Sequence, residues 1–320
     1  SRQGPDMDTI KGLRGPDYRV PIEWGAIRLF VRSLYSTHPA WLDDPRAVVP
    51  PTFLVMAGYH WGYILERAPE GSALAGVDCR GTTDGEQSFE FFGPPPRVGD
   101  VLTASTEVAD HYFKAGRAGG RLEFFVMRTD FRDATGRLVA RWMPTSIRPE
   151  HRGATSGGAC GGPKRRPWLH AGEKRNQLDA VRPAAGALSV GDGPGPVEMP
   201  ALTLTDMIRY QCASGEDSPG HHDTLAAQAH GMADFISVGM HHAGVLGAYA
   251  AHWLAPENAR AFRARFLTTV WPGDALTYRG SITGFGEGAD GPTVELALDC
   301  LREGEPVVRA SAVFLRPEAT

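Results

Sequence analysis

The sequence has few cysteines, no excess of basic charge and no long apolar run. Its four cysteines among 320 residues, Cys79, Cys160, Cys212 and Cys300, lie far apart and form no C-x-x-C pair, which argues against a disulfide framework. The 33 basic and 37 acidic residues give a formal net charge of −4, which argues against nucleic acid as a partner. We therefore expect a protein of the reducing cytoplasm that binds no nucleic acid.

Signals for membrane insertion and for several kinds of catalysis are also missing. The first residues, S-R-Q-G-P-D, have no apolar signal core, and the longest apolar helical stretch, residues 243–254, is too short to cross a bilayer. No G-x-x-x-x-G-K-[ST] or G-x-S-x-G pattern occurs, which removes the usual nucleotide-hydrolase and serine-hydrolase interpretations. We expect a soluble protein without a membrane partner.

Glycine and proline are abundant, with 39 and 25 residues, and they are concentrated in one part of the chain. The segments 151–167 and 184–196 are rich in both and cannot bury enough apolar surface to offset the entropy lost on ordering. This composition predicts a partly disordered linker over residues 151–198. It divides the chain into an N-terminal domain at 1–150 and a C-terminal domain at 199–320.

The two predicted domains share sequence features that recur in the same order. V-G-D-V-L-T at 98–103 recurs as P-G-D-A-L-T at 272–277, and G-R-L-V-A-R at 136–141 recurs 168 residues later as G-E-P-V-V-R. Strands rich in Val, Leu, Thr and Phe are predicted at 101–110, 120–131 and 138–148, and again at 275–284, 292–302 and 306–316. A repeat of this length indicates two copies of one domain fold.

Helices are predicted ahead of the strands in both copies. Apolar spacing favours helices at 23–35 and 52–66 in the first copy, and capping residues favour helices at 205–213 and 223–231 in the second. A longer helix at 240–254 is small and apolar on most sides, which suits close packing into the concave face of a sheet. We therefore predict an α+β fold in which a helix is wrapped by an antiparallel sheet, twice over.

The segment richest in chemistry is S-G-E-D-S-P-G-H at 214–221. Glu216 and His221 could face one substrate from a loop and supply the two groups that acid–base catalysis needs. Gly239 opens the long apolar helix, where its backbone N–H is unpaired within the helix and lies at the positive end of the helix dipole. It could therefore stabilise a developing oxyanion.

This segment resembles the S-G-D-x-N-P-x-H hydratase motif of the MaoC-like dehydratases and type 2, (R)-specific enoyl-CoA hydratases. The resemblance extends to the first copy through P-P-T-F at 50–53 and G-E-Q at 85–87, as in the double hot-dog members of the family. By this resemblance His221 is the catalytic histidine, Glu216 occupies the position of the catalytic aspartate, and Gly239 is the oxyanion-hole glycine. The chain departs from the motif at Glu216, which is one methylene longer than aspartate, and at Ser218, which replaces asparagine.

The resemblance implies a double hot-dog hydro-lyase. Its reaction would be reversible hydration of trans-2-enoyl thioesters or dehydration of (R)-3-hydroxyacyl thioesters. It implies no metal or redox cofactor, since coenzyme A or phosphopantetheine arrives as part of an acyl-CoA or acyl-carrier-protein substrate, and it is compatible with a homodimer. The first copy lacks the acid–imidazole constellation and would accommodate the acyl tail.

Further residues are candidates for substrate binding. Asp217 is a rival acid next to Glu216, and Ser218 and Met240 flank the catalytic positions. Arg263 and Arg265 alternate on a strand, where they could contact the phosphates of coenzyme A or form a solvated edge.

Other functions compete with the hydratase interpretation. The four histidines His221, His222, His241 and His242 could hold a metal by residue type, but no H-x-x-x-H spacing or cysteine partner supports one. A non-catalytic or assembly-dependent subunit that binds acyl thioesters is one alternative. Others are a dehydratase or cyclase acting on a carrier-bound intermediate, and a thioesterase.

Overall fold

The computed structural model describes residues 10–116, 120–149, 175–229 and 231–317. Its strands are β1 (Tyr18–Pro21), β2 (Thr83–Phe91), β3 (Val101–Ala115), β4 (Arg121–Arg132), β5 (Leu138–Pro149), β6 (Val197–Met199), β7 (Ala259–Phe266), β8 (Leu276–Gly288), β9 (Gly291–Arg302) and β10 (Glu305–Leu315). Its α-helices are α1 (Trp24–Ser33), α2 (Pro39–Leu42), α3 (Ala57–His60), α4 (Leu204–Ser214), α5 (Thr224–Ala229) and α6 (Gly239–Leu254). The α+β prediction is confirmed.

All ten strands form one antiparallel sheet in the order β1-β3-β4-β5-β2-β7-β10-β9-β8-β6. From the outer edge inward, the first half has the order β1-β3-β4-β5-β2 and the second half has the order β6-β8-β9-β10-β7, so each strand of one half has a counterpart in the other. The halves join where β2 pairs with β7, with Phe89 opposite Phe262. The sheet therefore has the symmetry that the repeat predicts, and the six strands predicted from it are all present.

Helix α6 is the central helix of the second half. Every one of its residues from Met240 to Leu254 is buried. Small residues let it approach its neighbours: a Cβ added at Gly244 would lie 2.7 Å from the side chain of Leu34, and one at Gly247 would lie 3.4 Å from that of Pro51. The first half therefore packs directly on the central helix of the second.

The first half has a shorter helix than the sequence predicts over 52–66. A 3₁₀ turn at Phe53–Met56 leads into α3, which ends at His60. The chain then folds back across Gly58, where an added Cβ would lie only 2.8 Å from the carbonyl oxygen of Tyr63. This return, which apolar spacing does not encode, ends the helix early, so the two copies are unequal.

The predicted linker lies partly outside the described residues. Its described part, residues 175–198, packs against both halves: the N–H of the fully buried Leu178 donates to the carbonyl of Tyr35 in the first half, and Arg175 forms a 2.9 Å ion pair with Asp206 in the second. The domain boundaries at 150 and 199 stay predictions. No helix in the described ranges is both long and apolar enough to span a bilayer.

Candidate active site

Helix α4 delivers the motif loop to the junction of the two halves. A capping box between Thr203 and Asp206 fixes the start of the helix. The helix ends at Ser214 and is capped by Gly215, which has a φ of 80°; a Cβ at Gly215 would lie 2.8 Å from the Cβ of Tyr59. Glycine is required at this position, both for the left-handed turn and for the close approach. Glu216 follows immediately and therefore faces the first half.

The carboxylate of Glu216 is held from both halves of the chain. The Tyr59 hydroxyl donates to Oε2, and the Ser218 backbone N–H donates to Oε1 at 2.9 Å. The buried Gln211 amide donates to the carbonyl oxygens of Glu216 and Ser218 at 3.0 and 3.2 Å. Each carboxylate oxygen retains a further lone pair that can accept a hydrogen bond from water.

His221 ends a short 3₁₀ turn, Pro219–His221, and its tautomer is fixed by one contact. Nδ1 lies 2.9 Å from the carbonyl oxygen of Ile236, which can only accept, so Nδ1 carries the proton in the neutral ring. Nε2 is then left with a free lone pair. Burial lowers the pKa of His221, and the Ile236 carbonyl and the charge of Glu216 act against this shift. The imidazole is thus a neutral base near pH 7.

Gly239 begins α6, as predicted, and Met240 follows it into the core with 2% exposure. A Cβ at Gly239 would lie 2.9 Å from the ring of Phe266. The position therefore accepts glycine alone without a shift of the ring. Its N–H belongs to the first turn of the helix, where backbone donors lack intrahelical acceptors.

Three of the predicted substrate contacts lie elsewhere. Asp217 is exposed and forms an ion pair with Arg67 of the first half. Arg263 and Arg265 are exposed and both bind Glu86 across the β2–β7 pairing, at 2.6 and 2.7 Å. They point away from Phe262 and Ala264, the core-facing residues of β7. A role for these three in substrate binding stays a prediction.

The first half brings residues to the loop that sequence reasoning missed. Besides Tyr59, these are Glu66 and Asp84, two carboxyl groups near Glu216. Asp84 is exposed to solvent, but partial desolvation by the protein around it raises the pKa of its carboxyl group to about 6, and the charge of Glu216 adds to the shift. Burial and Glu216 also raise the pKa of Glu66. No short motif marks these residues, because only the packing of the two halves brings their charges within the influence of Glu216.

Two family models match the chain, one in each half. Residues 11–142 match the dehydratase domain region of FAS1-like proteins, and residues 188–300 match the MaoC-like domain. The comparison with curated proteins found no match. Both models describe dehydratases, so they support a hydro-lyase activity in general.

Solved structures match over nearly the whole chain. A protein described as a MaoC-like dehydratase is 18% identical with a TM-score of 0.75, covering 98% of this chain and 100% of that one. A MaoC-like dehydratase from Phytophthora capsici is 17% identical with a TM-score of 0.66, covering 98% and 99%. A Mycobacterium tuberculosis protein described as a double hot-dog fold is 17% identical with a TM-score of 0.57, covering 98% of each chain. The double hot-dog prediction is therefore confirmed.

Proposed function

We propose that this chain, which matches the MaoC-like domain model over residues 188–300 and has the double hot-dog fold, hydrates trans-2-enoyl thioesters reversibly. In the reverse direction it dehydrates (R)-3-hydroxyacyl thioesters. The observation that carries the proposal is the state of the motif loop, in which a carboxylate held by two donors accompanies an imidazole whose Nε2 is free to accept a proton. General acid–base catalysis needs these two groups.

Glu216 and His221 have different roles toward the water that adds to the substrate. Glu216 accepts a hydrogen bond from the water and orients it, while Nε2 of His221 takes one proton as the water oxygen bonds to C3 of the enoyl group. The electron pair of the C2–C3 double bond moves onto the thioester as an enolate. The protonated imidazole then returns its proton to C2, so that one water is added and the histidine is regenerated.

Gly239 supplies the third element of the mechanism. Its N–H, at the positive end of α6, donates to the thioester oxygen, which gains negative charge in the enolate. The thioester itself acidifies C2, so the proposed reaction requires no separate cofactor. Coenzyme A or a phosphopantetheine arm enters as part of the substrate, which is an acyl-CoA or an acyl-carrier protein. The same proposal places the enzyme in the cytoplasm as a homodimer.

The longer acid is accommodated by its surroundings. Glutamate in place of the family's aspartate adds a methylene and one more rotatable bond, which would blur the position of the carboxylate. Tyr59 and the Ser218 N–H anchor both oxygens and so restrict that freedom. This explains how Glu216 can serve where the family has aspartate.

The test is hydration of a series of trans-2-enoyl-CoA substrates from crotonyl-CoA upward, followed by loss of the enoyl absorbance with free-thiol release measured in parallel. Glu216→Gln and His221→Ala should each lower kcat by about a hundredfold or more. Glu70→Gln, an exposed carboxylate in a surface turn, is the matched control. Full activity in both site variants, or thiol release in place of hydration, would overturn the proposal.

A further inference from the structure

Residues 236–238, which we call the connecting segment, join the proposed base to the proposed oxyanion donor. The carbonyl oxygen of Ile236 lies 2.9 Å from Nδ1 of His221 and so determines which nitrogen of that ring carries the proton. The last residue of the segment is followed directly by Gly239, the first residue of α6. A shift of the connecting segment would therefore move the acceptor of His221 and the N–H of Gly239 together.

The start of α6 is not fixed by its N-cap residue. That residue is Val238, whose aliphatic side chain cannot accept a hydrogen bond from the first turn, as the side chains of Ser, Thr, Asp and Asn do at this position. The direction of the Gly239 N–H therefore depends on the residue before the cap, Ser237, and on the contacts that hold it.

Ser237 is held through both its backbone and its side chain. Its N–H donates to the carbonyl oxygen of Val270 at 2.9 Å, and its hydroxyl lies 2.9 Å from Nε2 of His242. Ser237 and His242 are 5% and 1% exposed, so water hardly competes for the contact between them. The hydroxyl thus attaches the connecting segment to α6, three residues beyond Gly239.

His242 is attached to the sheet by its second ring nitrogen. Nδ1 lies 2.9 Å from the hydroxyl of Tyr278, a completely buried residue of β8 that is paired with Cys300 of β9. A neutral imidazole donates from one nitrogen and accepts at the other, and each hydroxyl can do either, so both hydrogen bonds form at once. Because the ring cannot turn without breaking both bonds, it fixes the Ser237 hydroxyl relative to the sheet.

A second histidine of α6 makes the same kind of contact at the other end of the helix. Nε2 of His252 lies 2.8 Å from the hydroxyl of Ser36, and the two residues are 2% and 0% exposed. This contact attaches the C-terminal end of α6 to the first half, about 20 Å along the helix from Gly239. It therefore provides a buried histidine–serine pair whose role is structural, against which the pair at Ser237 can be compared.

We propose that His242 is a positioning residue for the hydration reaction and acts through Ser237 on the connecting segment. Held in this way, the Ile236 carbonyl keeps the proton of His221 on Nδ1, and the Gly239 N–H keeps its direction toward the thioester oxygen. This inference rests on the proposed function for the roles of His221 and Gly239. A displaced segment would let the proton move to Nε2, which must be free to accept one, so kcat should fall while substrate binding is unchanged.

The kinetic test compares Ser237→Ala with Ser36→Ala, which each remove one serine–histidine hydrogen bond of α6. Ser237→Ala should lower kcat by about tenfold with little change in KM, because small displacements of reacting groups are costly. Ser36→Ala is the matched control and should change neither constant. His242→Phe should match Ser237→Ala, and the double variant should lose no more activity than either alone, because both substitutions remove the same hydrogen bond. Thermal unfolding verifies that each variant is folded.

Nitrogen-15 NMR of the histidine rings gives a readout that does not depend on activity, with the His221 signals assigned by their loss in His221→Ala. At neutral pH the unmodified chain should show His221 protonated on Nδ1. Ser237→Ala should show the tautomer protonated on Nε2 as well, and Ser36→Ala should not. An unchanged tautomer in both Ser237→Ala and His242→Phe, or an equal fall of kcat in Ser36→Ala, would overturn the inference. A changed tautomer in a chain that hydrates no enoyl-CoA would overturn the proposed function alone.

Discussion

The chain should lose stability when the pH falls from 7 to 5, because it buries neutral histidines around α6. His241 and His252 are 0% and 2% exposed, and burial lowers the pKa of each to about 4. Burial also lowers the pKa of His242, which lies between the Tyr278 hydroxyl and the Ser237 hydroxyl. Protonation of any of these rings in the folded state would place a charge in the core.

The sign and the size follow from proton linkage. The folded pKa of about 4 lies below the unfolded value near 6.5, so below pH 6.5 the unfolded chain binds protons that the folded chain does not. Each such histidine then reduces the free energy of unfolding by about 2 kcal/mol between pH 7 and 5, or about 4 kcal/mol for His241 and His252 together. Asp84 acts in the opposite sense, since its pKa is raised, but its effect is smaller because water reaches it.

Urea unfolding at pH 7 and at pH 5 measures this difference directly. His252→Leu removes one titrating group and should reduce the pH sensitivity of the unfolding free energy by about 2 kcal/mol, whatever it does to stability at pH 7. Val245→Ala, a buried and non-titrating substitution on the same helix, should lower stability equally at both pH values. The reasoning is refuted if the unmodified chain is equally stable at both pH values, or if His252→Leu keeps the full pH sensitivity.

Two further substitutions probe the catalytic machinery. Tyr59→Phe removes the hydrogen-bond donor to Glu216 Oε2. In steady-state hydration kinetics it should lower kcat by about tenfold with little change in KM. A change confined to KM would contradict a positioning role for Tyr59. Gly239→Ala brings a Cβ to 2.9 Å from the Phe266 ring and should displace the first N–H of α6. The value of kcat should therefore fall by about a hundredfold. Unchanged hydration kinetics would contradict an oxyanion-hole role for Gly239.

The residues that sequence reasoning found and those it missed differ in a physical respect. Local residue spacing and turn residues determine the strands, the apolar helix α6 and the loop that carries Glu216 and His221. These local patterns can be recognised in the sequence. Tyr59 and Asp84 depend on where the chain turns back at Gly58 and bulges at Gly85, two events that arise from contacts with distant segments. Local pattern carries no signal of such contacts, although glycine in a strand indicates that a bulge is possible.

The unequal halves explain how a symmetric sheet carries an asymmetric site. Because α3 ends at His60, the first half has no helix as long as α6 at the junction. Tyr59, next to the end of α3, contacts Glu216 in the loop after α4. Strand β2 carries Asp84 and pairs with β7 of the second half. The continuous sheet therefore fixes the position of Asp84 relative to the second-half loop that carries Glu216. Docking of the two halves is thus a condition for the geometry at Glu216. A substitution that loosens the β2–β7 pairing should therefore impair catalysis before it unfolds either half.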